Sequence, residues 1–153
     1  MRAAPIIVAG IVGLLLVSVP LALQPPRGIR NNNPGNIRQS GTKWEGMSAA
    51  QTDSEFVQFV SPQYGIRAMA VILKNYRDRY GLNTVGEIIN RWAPPHENDT
   101  AAYIETVARL SGLGNAQPVT TREYPRLIAA MIEVENGDNP FSDAQIAQGV
   151  MLA

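Results

Sequence analysis

Residues 65–81 read GIRAMAVILKNYRDRYG, and their spacing decides the fold class. Ile66, Met69, Ala70, Leu73, Tyr76 and Tyr80 recur at three- and four-residue intervals, which on a helix gathers them into one apolar stripe. Gly81 ends the helix. Downstream, Thr84-Val-Gly-Glu87 has the form of a capping box and opens a helix carrying Val85, Ile88, Ile89 and Trp92, which Pro94-Pro95 stops. A third helix is predicted from Asp99 or Thr100, with Tyr103, Ile104, Val107 and Leu110 inward and Gly112 or Gly114 at its end. A fourth runs from about Arg122 to Glu135, with Pro125 tolerated in its first turn and Gly137 as a stop. Ser142-Asp-Ala-Gln145 caps a short last helix. Upstream, only EFVQFV (Glu55 to Val60) reads as a strand, too short for an independent sheet. The expected fold is mainly α, with one short β element, over residues 27–153.

Composition narrows the chemistry. The chain has 153 residues, 45% of them hydrophobic and 17% charged, which suits one globular domain. Its 13 basic and 13 acidic residues cancel, which argues against a nucleic-acid partner. There is no cysteine and one histidine, His96, so a Cys-His peptidase is excluded and a His-rich metal site is not expected. No Gly-x-Ser-x-Gly elbow is present. Hydrolytic chemistry, if any, falls to carboxylates, and no cofactor or metal is expected.

Pro5 to Leu23 run without a charge. As a helix this stretch would span about 28 Å, close to the hydrocarbon thickness of a bilayer. Arg2 before it favours a cytoplasmic N-terminus. A cleaved signal peptide competes, but the small-x-small cleavage pattern is poorly met near Gln24. The expectation is an N-terminal transmembrane helix and linker over residues 1–26, with the domain beyond it facing the periplasm or the exterior.

Two polar clusters could form a site. RGIRNNNPGNIR (Arg27 to Arg38) concentrates Asn, Gly and Pro, which suit turns and left-handed backbone and could present amides to a hydroxyl-rich ligand. RWAPPHENDT (Arg91 to Thr100) bends between two helices. There Asp99 reads as an N-cap, whereas Glu97 lies next to aromatic and Pro surfaces that would raise the pKa of a general acid. Glu45, beside Trp44, and Asp53, ahead of the strand, are the other candidate carboxylates; lone acids of this kind are commonly solvated. Arg67 suits pairing with a carboxylate, and His96 reads as an exposed turn residue. Trp44, Trp92, Tyr64 and Tyr103 could stack on sugars, although such spacings also fit a core.

Taken in order, RGIRNNNPGNIR, W-E-G, D-x-x-F-V-x-F, Y-G-I-R-A and R-W-A-P-P-x-E-N-D-T-x-x-Y resemble a family of small phage and prophage virion proteins related to lytic transglycosylases, over about residues 27 to 140. The resemblance implies a lysozyme-like helical domain with a cleft, acting on bacterial peptidoglycan. It also implies a place in a virion or envelope, the membrane bound through the N-terminal helix and other virion proteins as possible partners. Asn32, Asn33, Asn36, Arg67, Trp92, Asn98 and Tyr103 are the substrate-binding residues it suggests; the catalytic acid does not carry over, and Glu97, Glu45 and Asp53 stand as candidates on their own surroundings. The chain lacks the Glu-Ser helix end and the Gly-Leu-Met-Gln-type strand of lysozyme-like transglycosylases. The bond attacked stays open between the glycan strand and the peptide cross-link, and a non-catalytic wall-binding protein is the third reading.

Overall fold

The central helix begins where the sequence supplies a stiff first turn, Pro62, and ends where Gly81 turns left-handed at φ 68°. The computed structural model describes residues 24–153. In chain order its helices are α1 (Arg27–Arg30), α2 (Pro62–Tyr80), α3 (Val85–Trp92), α4 (Thr100–Ser111), α5 (Tyr124–Asn136) and α6 (Asp143–Met151), with a 3-10 turn at Thr121–Glu123 leading into α5. The stripe read from α2 is buried as spaced: Ile66, Met69, Ala70 and Leu73 are inaccessible to solvent. It runs out toward the C-terminus, where Tyr80 is exposed. There Arg91 of α3 covers the Tyr80 ring at 3.8 Å from its centroid.

The other helices are bounded by local chemistry. Thr84 and Glu87 make both bonds of the capping box on α3, at 3.2 and 3.1 Å. Asp99 caps α4 by accepting the Ala102 amide at 3.1 Å. Ser142 and Gln145 repeat the box on α6. Helix α5 supplies the densest part of the core, with Leu127, Ile128, Met131 and Ile132 fully buried. Each such side chain contributes about 1.5–3 kcal/mol of transfer free energy. Helices α4 and α6 pack against α5, and α6 also packs against α2.

The segment before α2 is held by side chains, and here the expected strand is corrected. Glu55 to Val60 forms no strand; the described residues contain only isolated bridges, Arg38 with Phe56, Met47 with Phe59 and Thr84 with Pro118. The alternation is present, since Val57 and Phe59 are buried and Val60 is exposed. What is missing is a continuous partner. The Val57, Phe59 and Val60 amides donate to three separate carbonyls, those of Ile37, Asn31 and Gly46. The Val57 and Phe59 carbonyls accept side-chain amides from Asn33 and Asn32. Gly65 lets α2 press on this layer, because a Cβ there would run into the Asn32 carbonyl oxygen.

The membrane-spanning part of the expected architecture is also corrected. Among the described residues no helix is long and apolar enough to cross a membrane. The longest, α2, carries Arg67, Lys74, Arg77, Asp78 and Arg79 along its length. The apolar stretch 5–23, on which the anchor was read, lies outside the described residues. The membrane-anchored location and outward-facing domain built on that anchor therefore find no spanning helix among the described residues. What the described residues form is a mainly helical assembly around α2 and α5.

Candidate active site: a carboxylate clasped in a cleft

A cleft of about 390 Å³ opens between the asparagine-rich loop, the bend after α3 and the end of α5. The loop contributes Asn36, Ile37 and Arg38 to its walls, the bend contributes Glu97 and Asn98, and α5 contributes Glu135. Trp92, Phe56 and Ile72 supply apolar surface.

The distinctive group is Glu135, which sequence reasoning treated only as a helix end. Its Oε1 accepts the Trp92 indole N–H at 2.9 Å and the Tyr103 hydroxyl at 2.8 Å. Its Oε2 accepts the Asn36 side-chain amide at 3.0 Å. Three neutral donors thus hold the carboxylate, and among the described residues it forms no ion pair. Tyr103 is buried on α4. Burial first, then the neighbouring charge and hydrogen bond of Glu135, push its hydroxyl far above the usual phenol range, so it stays a donor at any ordinary pH. Asn36 is aimed by its backbone, at φ 48°, a left-handed conformation that Asn adopts more readily than most residues. One signal for Glu135 was legible. It is an acid in the last turn of α5, where the helix dipole favours cations and no basic residue stands.

The residues predicted from sequence separate into two groups. Asn36, Trp92 and Tyr103 converge on Glu135, and Glu97 and Asn98 line the same cleft. Glu97 is less sheltered than expected, with its side chain 58% exposed and paired with His96 at 3.2 Å. The remainder lie in the scaffold. Glu45 is 60% exposed and joined to Arg67 at 2.8 Å, and Arg67 also donates to the Leu152 carbonyl, tying the end of α6 to α2. The Asp53 side chain is 8% exposed and accepts from Nε and Nη2 of the Arg27 guanidinium, each at 2.7 Å, with the Phe56, Glu55 and Asn31 N–H groups also donating to it. The Arg27 bonds, then the Phe56 amide, hold its carboxyl far below the usual range. Asp53 is thus a fixed anion with its acceptors spent. Asn33 is fully buried and Asn32 donates to the Phe59 carbonyl, so both amides are used by the loop itself. Among the described residues no cluster of His, Cys, Asp and Glu could hold a metal.

No family model matches the chain. Over 126 residues it is 45% identical to "Protein P5" of Pseudoalteromonas phage PM2, an alignment covering 80% of this chain and 79% of that protein. At that identity and coverage, the chain belongs to the family of the phage protein P5.

Proposed function

We propose that this phage-family protein cleaves a glycosidic bond of bacterial peptidoglycan in the cleft, with Glu135 transferring the proton and Glu97 standing at the rim as a second carboxylate. The observation that carries this reading is the carboxylate of Glu135, lodged in a cleft, held by three neutral donors and, among the described residues, in no ion pair. Its two oxygens differ. Oε1 accepts from Trp92 and Tyr103, whereas Oε2 meets only Asn36 and is the oxygen left to face a ligand. Protonation of the leaving glycosidic oxygen from Oε2 lets the bond to the anomeric carbon break. The sugar's own 6-hydroxyl group then captures that carbon and its proton returns to Glu135, or the N-acetyl oxygen captures it as an oxazolinium ion that water opens to a reducing end, the water's proton returning to Glu135. Trp92 offers an apolar face to the sugar, and Asn98 an amide.

The test is digestion of purified peptidoglycan by the full chain and by Glu135→Gln and Glu97→Gln, with mass spectrometry of the released fragments. Glu135→Gln is expected to slow release by about 100- to 10,000-fold, the usual worth of a general acid. Anhydro-muramyl ends identify a transglycosylase and reducing ends a muramidase. Free cross-link peptides instead would replace the glycosidic reading by an endopeptidase. Undiminished release by a correctly folded Glu135→Gln would remove this residue from the chemistry.

A second reading rests on the same bonds. Because both oxygens of Glu135 are already engaged by the protein, it can act as a brace joining the loop, α3, α4 and α5, in a protein that binds the wall without cutting it. That reading predicts co-sedimentation with insoluble wall and no soluble fragments.

A further inference from the structure

We propose that Arg38 is the specificity residue of the cleft, recognising a carboxylate on the substrate. The ligand is then the acidic, peptide-bearing form of wall glycan rather than a neutral polysaccharide. This deepens, and rests on, the peptidoglycan reading above.

Arg38 is the one cationic side chain among the residues lining the cleft, and it faces the same space as Glu97 and Glu135. Among the described residues it has no carboxylate partner; the same holds for Arg30, Arg79, Arg91, Arg109 and Arg122, but none of those lines the cleft. The Arg38 backbone and an aromatic neighbour place it at the cleft wall. Its backbone bridges to Phe56, and its guanidinium lies 5.4 Å from the Phe56 ring centroid. On the same ring Arg27 sits at 4.6 Å but is committed to Asp53 and Glu55. A guanidinium braced on an aromatic face, open to solvent and without an internal anion, is arranged for a planar two-bond contact with an external carboxylate. Electrostatics gives the contact a reason. The carboxylate of Glu97 at the rim would repel an acidic ligand, and Arg38 supplies the opposing charge in the same cleft. Peptidoglycan carries such groups on the stem peptides attached to alternate sugars; chitin does not.

The experiment uses the full chain and two preparations of the same purified wall, one native and one with its carboxylates converted to amides by carbodiimide and ammonia. Fragment release and co-sedimentation are both measured for wild type, Arg38→Gln and Arg38→Lys. Wild type is expected to prefer native wall by about fivefold, the scale of a partly exposed charge-assisted contact. Arg38→Gln should fall to the amidated-wall level on native wall and be unchanged on amidated wall, and Arg38→Lys should recover part of the preference. Equal slowing of Arg38→Gln on both walls, or no slowing on either, overturns the proposal. Arg38-dependent binding without fragment release keeps Arg38 as the carboxylate reader and ends the enzymatic reading. Fragment release indifferent to amidation does the reverse. A wild type that binds neither wall overturns both.

Discussion

Asn33 lies in the loop expected to bind a ligand, yet the fold consumes all of its amide. Its Nδ2 donates to the Ile37 and Val57 carbonyls at 2.9 and 2.8 Å, and its Oδ1 accepts the Ile37 amide at 2.9 Å. Removing a buried partner from such a set leaves groups that water cannot reach. Asn33→Ala should therefore lower stability by about 1–3 kcal/mol, and more where several groups are orphaned together. Chemical denaturation measures this directly; an unchanged midpoint would show that the three bonds contribute nothing net. The same amide chemistry is used differently three positions on. Asn36 reaches across 99 residues of sequence to Glu135 and belongs to the cleft. Nothing in the run of asparagines distinguishes the two, because the difference lies in what each side chain meets after the helices have packed.

At the scale of the element, boundaries were the most legible feature. The capping boxes at Thr84 and Ser142, the Asp99 cap and the stops at Gly81 and Gly137 occur where the sequence placed them, and of the two stops it offered α4, Gly112 and Gly114, the helix uses Gly112. Each depends on contacts within a few residues, so no tertiary information is needed. Thr84→Ala removes the acceptor of the Glu87 amide and should cost about 0.5–2 kcal/mol, read as a fall in melting temperature with unchanged helix content at 20 °C. No fall at all would mean that burial alone sets the start of α3. The 55–60 segment was harder. Its alternation predicted a strand, but a strand needs a neighbour, and the neighbours are single residues from three different places. That is a property of the loops around it and not of its own residues.

For the whole molecule, the join between the first helical turn and the 53–55 loop makes stability pH-dependent. Arg27 on α1 binds Asp53 and Glu55, and Asp53 titrates well below the range of an unfolded aspartate. A carboxyl whose folded pKa is depressed stabilises the protein above its unfolded pKa, and that contribution disappears as pH falls from about 4 toward the folded value. The melting temperature should accordingly drop between about pH 5 and pH 2, and Asp53→Asn should be less stable at pH 7 and flatter across that range. Parallel melting curves for the two proteins would show that the Arg27–Asp53 join is not coupled to folding. Sequence alone determined the helical class, most helix ends, the absence of thiol chemistry and the two polar clusters, because periodicity, caps and composition are local or additive. Tertiary structure alone decided which carboxylate the cleft holds. Glu135 meets Trp92 and Tyr103 across 43 and 32 residues of chain, and only packing of α3, α4 and α5 brings three donors onto one acid. The same packing assigned Asp53, Glu45 and Arg67 to the scaffold, since an ion pair needs both partners in place before either is spent.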